Sequence, residues 1–391
     1  MLFVAPITSR HIVLGKFLGM MMYGLLMFSV LLVYVILGGC WIESFDWAAV
    51  LTGLLGLYLL FGTYAAIGLF MSTLTTYPIV AAIYMLALLT FLRFVSGLWQ
   101  EYTFVRDITY WLALDRRAGT FINGMICIED FLYFVIMTAM FLGFAILKLQ
   151  FIRERRSMLS KVGRFLGVFI VAMLLGYVTS RPTLRFYHDS THTKTNTLTE
   201  ASQEIVSKLD GGLKMTTYVN LFGSIYNITP AKVMADIARY NSYIRFKPET
   251  KMDYVFYYYT DTTDGFFAHR FAGKTLSEAA KEMAKFQGVN AKKYVPLSKV
   301  DPGVDLRDEG YRFVVLLERE NGEKTFLRVF NDAQRVPFET EISAALKRIG
   351  MKLPSVGFLS DHYARTITGD RNRDYSYMVS EKLYRSALIN Q

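Results

Sequence analysis

The amino-acid sequence predicts an α-helical polytopic membrane domain of about five spans, followed by an α/β extracytoplasmic domain with a mixed sheet. Three observations carry this reading. Up to about Ser180 the chain is a series of long apolar blocks divided by short polar loops, and after it no block approaches the ~20 apolar residues that cross a bilayer. The loops of the first half alternate between basic and basic-poor. In the second half helix and strand signals take turns, with one strong hairpin pair.

The first part, residues 1–150, holds four apolar runs: Phe17–Cys40, Trp47–Ser72, Tyr77–Trp99 and Cys127–Leu149 (spans 17–40, 47–72, 77–99 and 127–149). Residues 151–180 form a basic loop and a fifth, shorter run, Val162–Thr179. Each run is long enough to span at about 1.5 Å per residue. Orientation follows from Lys and Arg at the span ends. Arg10 and Lys16 precede the first run, and "FIRERRSMLSKVGR" carries Arg153, Arg155, Arg156, Lys161 and Arg164 against one Glu. These are the expected cytoplasmic segments. The "IESFDW" loop, with Glu43 and Asp46 alone, faces outward, and the count then puts residues 181–391 outside. Arg106, Arg116 and Arg117 in the outer loop are partly offset by Glu101, Asp107 and Asp115. That aromatic-rich loop, residues 100–126, suits short helices at the outer interface. Arg93 near the end of the third run can snorkel outward along its stem, or serve transport as an intramembrane charge.

The region after Ser180, about 210 residues, is long enough for its own core. "NTLTEASQEIVSKLDGG" predicts a helix with Thr197 and Glu200 at capping-box spacing and Gly-Gly as its stop. "LKMTTYV" reads as a strand, and "TPAKVMADIARYNSYI" as a helix with Thr229 as cap and Pro230 in its first turn. "MDYVFYYYT" is a second strand, "KTLSEAAKEMAKF" a capped helix, and "YRFVVLLERENGEKTFLRVF" a hairpin turning at Asn321-Gly322. Helix "FETEISAALKRIG", strand "SVGFLS" and helix "YSYMVSEKLYRSALI" complete the run.

Cys40 and Cys127 both lie in the first half and near the same membrane face, so a bridge is geometrically open, though two small apolar residues packed in helices suffice. The second half has no Cys and so no disulfide framework, Cys-based metal site or thiol nucleophile. The formal net charge of +10 is spread among acidic residues with no basic, aromatic-interleaved stripe, which argues against nucleic acid. "AHRFAGKT" (Ala268 to Thr275) fits a permissive phosphate-loop pattern, but Thr275 is better explained as a helix cap paired with Glu278. His188 and His192 in "HDSTH" would share a face on a helix, yet no third metal ligand is evident. Ser360, Asp361 and His362 follow the expected strand "SVGFL", at the carboxyl end where open α/β sheets collect ligands. They are candidates for ligand binding. No convincing catalytic, metal or cofactor set is present, and the expectation is a protein that is not an enzyme and needs no cofactor.

"APITSRHIVLGKFLG" resembles the cytoplasmic segment between the second and third spans of type-2 ABC exporter permeases, which opens on a small residue and Pro-Ile-Ser/Thr-Arg and closes on Gly-Lys. "TNTLTEASQEIVSKLDGGLKMTTYV" resembles the start of the extracytoplasmic domain of the gliding-motility-type ABC auxiliary protein of Bacteroidetes-like bacteria. "FETEISAALKRIG" with "SVGFLSDH" is similar to a later helix-strand unit of that family, with Ser-Asp-His-Tyr where the family runs Gly-His-Gly-Glu. The resemblance implies a permease fused to its auxiliary domain in a bacterial inner membrane. It implies an ABC ATPase subunit as partner, a homo- or hetero-dimer of permeases, and an exported substrate or envelope component outside. Such a permease has six spans and the auxiliary protein a closing one, so further spans are expected beyond both ends of this sequence.

With no ATPase motif in the chain, a power stroke must arrive mechanically through a cytoplasmic element joined to a span. The segment from Ala5 to Lys16 has the parts. Pro6 breaks the preceding apolar stretch, and Thr8 or Ser9 can cap a short helix. Ile7, Ile12 and Val13 offer apolar contacts, Arg10 a fork of donors, and Lys16 marks the edge of the next span. The plainer reading is a juxtamembrane segment whose charges only set topology. A function of another class, a membrane-anchored envelope-binding or sensor module without transport, is the alternative to the exporter.

Overall fold

The computed structural model describes residues 8–95, 102–112, 114–154, 157–179, 186–263, 265–300, 303–359, 365–367 and 374–391. The described chain forms two compact units, one ending at Thr197 and one beginning at Leu198. The first unit extends past the last apolar helix to Thr197, and residues 187–189 pair with its residues 125–127.

In the first unit the long helices are α1 (Ser9–Trp41), α2 (Trp47–Leu74) and α3 (Pro78–Val95). Two short helices follow, α4 (Thr103–Trp111) and α5 (Leu114–Ile122), then strand β1 (Met125–Cys127). Helices α6 (Ile128–Arg153) and α7 (Met158–Thr179) and strand β2 (Tyr187–Asp189) complete it. Five of these helices are long and apolar enough to cross a membrane, which makes the chain a multi-pass membrane protein. Their exposed faces agree: Leu18, Met22, Leu26 and Val33 of α1 point outward, an arrangement that water would penalise and lipid does not.

Helix α2 is the hub because its buried face is small. Thr52, Gly53, Gly56, Gly62, Thr63, Ala65 and Ala66 are all buried, which lets neighbours approach closely. A Cβ on Gly56 would meet Phe121 Cβ at 2.2 Å, so the fully buried ring of Phe121 requires glycine opposite it. Thr63 Oγ1 lies 3.1 Å from Thr138 Oγ1 of α6, a hydrogen bond between two helices where no water competes. Helix α5 buries Leu114, Ala118 and Phe121 on one side. It packs against α2 rather than only lying along the interface, as the loop composition suggested. Strands β1 and β2 pair antiparallel with Ile126 opposite His188. Cys40 is exposed and Cys127 buried, and both are free thiols.

The second unit is an α/β domain. Its elements are α8 (Glu200–Ser207), β3 (Leu213–Asn220), α9 (Val233–Ile237), α10 (Asn241–Phe246), β4 (Lys251–Tyr258), α11 (Gly265–Arg270) and α12 (Leu276–Phe286). They continue with β5 (Val295–Pro296), β6 (Val314–Arg319), β7 (Lys324–Arg328), α13 (Glu339–Gly350) and α14 (Ser376–Ser380). The sheet order is β5-β4-β3-β6-β7. It is mixed, as expected: β3 runs parallel to β4 and antiparallel to β6. Val315 and Leu317 of β6 face the core under α8 and α13, while Val314 and Leu316 face the opposite layer. That is the period of two a doubly covered strand requires.

Local expectations differ in instructive places. The α8 cap is Thr199, whose Oγ1 accepts the Ser202 N–H, while Thr197 instead donates to Asp189. The "TPAKVMADIARYNSYI" helix is broken into 3₁₀ and short α pieces, though Pro230 does open the first turn. The hairpin turns through three residues, not two. Arg319 N–H donates to the Glu323 carbonyl and Gly322 N–H to that of Arg319, with Gly322 at φ +89° closing a bulge. "SVGFLS" is not a strand through Leu359: Val356 and Leu359 stand exposed with no ladder. Edge strand β7 is met instead by Arg348 of α13, which donates to the Phe326 carbonyl at 2.9 Å. The final predicted helix shrinks to α14 and a 3₁₀ turn, Leu388–Asn390, because side chains hold the tail in an irregular path. Arg385 bridges Asp332 and Glu341, and Arg328 reaches Asn390.

Candidate functional site

The cavity that matters lies within the first unit, where the start of α1 meets the ends of α2 and α6. Its volume is about 760 Å³, in the range of small-ligand pockets. Ile12, Val13 and Lys16 line it from α1, Leu69 and Ser72 to Thr76 from the end of α2, and Ala145, Lys148, Leu149 and Ile152 from α6. The described lining contains two lysines and no carboxylate.

Three of the sequence-predicted coupling residues, Ile12, Val13 and Lys16, thus come together in one wall. Thr8 is the N-cap of α1: its Oγ1 accepts the His11 N–H and lies 2.9 Å from His11 Nδ1. Pro6 and Ile7 lie outside the described residues. The expected short, separate helix does not form. Instead the segment is the first two turns of α1 itself, an unbroken helix of 33 residues. At about 1.5 Å per residue it is about 50 Å long, well beyond a ~30 Å hydrocarbon core, so it can protrude without a hinge. Val13 is 3% exposed and packs in the helical core, so the segment is anchored in the bundle. Arg10 is exposed one residue into the helix, where the positive end of the helix dipole disfavours a cation. Its charge is not there to stabilise the helix.

Lys148 and the hydroxyl run at the end of α2 were not singled out from sequence. The available signal was that Lys148 is the first charge after the long apolar run of α6. Ser72 and Thr73 spend their hydroxyl protons on the Leu69 and Phe70 carbonyls, at 2.8 and 2.7 Å. The Thr75 hydroxyl accepts the Tyr77 N–H, leaving its own proton free to donate.

The opposite end of the unit is a latch. Asp189 accepts from Thr191, Asn196 and Thr197, and burial, which pushes its carboxyl up, is outweighed by these bonds so that it sits below the usual range. Asp46 is also held low, by the His192 and then the Ala49 backbone N–H groups. Arg117 of α5 donates to Asp130 of α6 at 2.5 Å, both side chains being largely buried, and stacks over Tyr133. His188 lies in β2 and His192 in the following turn, so they share no helical face, and no metal-binding cluster occurs among the described residues. Thr275 and Glu278 form a reciprocal capping box on α12, which accounts for "AGKT" without a phosphate. Arg93 is exposed in the last turn of α3. Ser360, Asp361 and His362 lie outside the described residues, and the strand that was to present them is not formed in the residues before them. No family model matches the chain, and neither a curated protein nor a solved structure matches it.

Proposed function

We propose that this chain is a permease with a fused auxiliary domain in an ABC exporter, driven by a separate ATPase subunit. The observation that carries the reading is the continuity of α1. Thr8 caps it, Arg10 stands exposed in its first turn, and Val13, less than one turn beyond, is locked in the bundle core. A push on Arg10 or Ile12 would travel into the bundle through a rigid rod rather than dissipate in a loop. In this reading Arg10 meets a partner's carboxylates or carbonyls, Pro6, Ile7 and Ile12 supply apolar contact, and Lys16 marks the membrane edge. Two permeases pair, the second unit lies outside a bacterial inner membrane, and the chain itself carries no catalytic chemistry and no cofactor.

The test is co-purification with the ATPase subunit and transport-linked ATP hydrolysis. Arg10→Glu should weaken one or both while the protein still inserts in the membrane. Unchanged ATPase binding and hydrolysis in both Arg10→Glu and Ile12→Asp would remove the coupling role.

A further inference from the structure

We infer that the cavity between α1, α2 and α6 is a binding site for the headgroup of an anionic phospholipid. The first argument is depth. Lys16 is the last charge before the apolar run of α1 begins, and Lys148 the first charge after the run of α6 has passed. Helix α6 has 26 residues, about 39 Å, which exceeds the hydrocarbon thickness by some six residues. Both ammonium groups therefore stem from the level where hydrocarbon gives way to headgroups. Below them Leu69 and Ala145 continue the wall in apolar surface.

The second argument is charge. Lys16 and Lys148 have no ion-pair or hydrogen-bond partner among the described residues, and the described lining has no Asp or Glu. The carboxyl ends of α2 and α6 contribute about −0.5 charge each and the amino end of α1 about +0.5 on the same side, a net of about −0.5 against two full positive charges. The two lysines thus set the sign. A phosphodiester is attracted, and a headgroup that also carries an ammonium meets two like charges with no carboxylate to receive it. Basic pockets between membrane helices hold anionic headgroups on this principle. The third argument is donors: the Thr75 and Thr76 hydroxyls border the cavity with protons that no described acceptor takes, so they can complete a phosphate's coordination.

The inference does not rest on the exporter reading, and no ATPase enters its test. The full chain is purified in an uncharged detergent and titrated with short-chain phosphatidylglycerol, short-chain phosphatidylcholine or inorganic phosphate. Binding is read by native mass spectrometry and by the shift in thermal unfolding. Phosphatidylglycerol should bind and stabilise, with the other two much weaker. Lys16→Gln with Lys148→Gln should weaken phosphatidylglycerol about tenfold or more, and the corresponding double Arg variant should retain it. Equal binding of phosphatidylcholine by the wild-type protein would overturn the proposal whether or not any variant folds. Inorganic phosphate binding as tightly as the lipid would assign the site to a free anion instead. Unchanged lipid affinity in the double Gln variant would place the lipid elsewhere.

Discussion

The Asp46 carboxylate accepts the backbone N–H of His192 at 2.7 Å while its other oxygen caps α2 through Ala49 at 3.1 Å. One side chain thus ties the loop between the first two long helices to the turn that follows the last. Asp189, a few residues before that turn's end, gathers Thr191, Asn196 and Thr197 in the same way.

Both carboxylates have pKa values lowered from the ordinary 3.8, so the folded state favours their charged form. Their contribution is fully present above the unfolded pKa and is lost as pH falls through the lower, folded one. Asp46→Asn with Asp189→Asn should therefore lower the melting temperature near pH 7, and the gap to wild type should narrow at a pH below 3.8. Thermal unfolding in detergent at the two pH values measures it. A gap independent of pH would mean that the charge is irrelevant to the latch.

Arg117→Met should be far more damaging than its size suggests. It leaves Asp130, whose side chain is 5% exposed, as an uncompensated charge between α5 and α6, at a cost of about 3–5 kcal/mol. Adding Asp130→Leu should recover most of that loss. If the double variant is no better than the single one, the pair is not the relevant interaction.

Placement of the second unit outside the cytoplasm is tested by fusions at Asn321, an exposed hairpin residue. Alkaline phosphatase fused there should be active if, as the positive-inside rule predicts, the basic segment around Arg153 stays inside and one further span follows it. Fluorescence of a cytoplasm-dependent reporter at Asn321 would reverse the orientation.

In the second unit, Leu317→Ala removes a fully buried side chain from the central core and should cost about 2–5 kcal/mol. Gly322→Ala puts a Cβ on a residue at φ +89° and should cost about 1–2 kcal/mol. Urea titration of the detergent-solubilised chain, followed by a fluorophore in this unit, orders the two. A Gly322→Ala loss as large as that of Leu317→Ala would contradict the bulged hairpin.

Thr275→Ala should destabilise α12 by about 1 kcal/mol, read as faster amide exchange in its first turn. Lys274→Ala, which removes an exposed pair with Glu282, should cost less. A phosphate loop would show the reverse ranking in nucleotide binding, with Lys274 dominant.

Composition and periodicity by themselves determined the division into apolar helices and a charged α/β region, the mixed sheet, and the capping box at Thr275. These are local properties: a run of twenty apolar residues, an alternating strand or a Thr-to-Glu spacing reads the same wherever the chain puts it. The sequence also marked the Ala5–Lys16 segment, but as a short helix before a span, since Pro6 and the polar cluster look like a break. In the structure the segment is one continuous helix from Ser9, with Val13 buried in the helical core. Tertiary structure alone decided the rest. Lys148 is an ordinary loop-side lysine until α1 brings Lys16 to the same cavity, and the hydroxyls of Thr75 and Thr76 matter only as its rim. "SVGFLS" has every strand signal, but a strand exists through its partner, and among the described residues none pairs with 355–359. Which donors meet which acceptors across the fold is set by distances in space, and no window of sequence contains them.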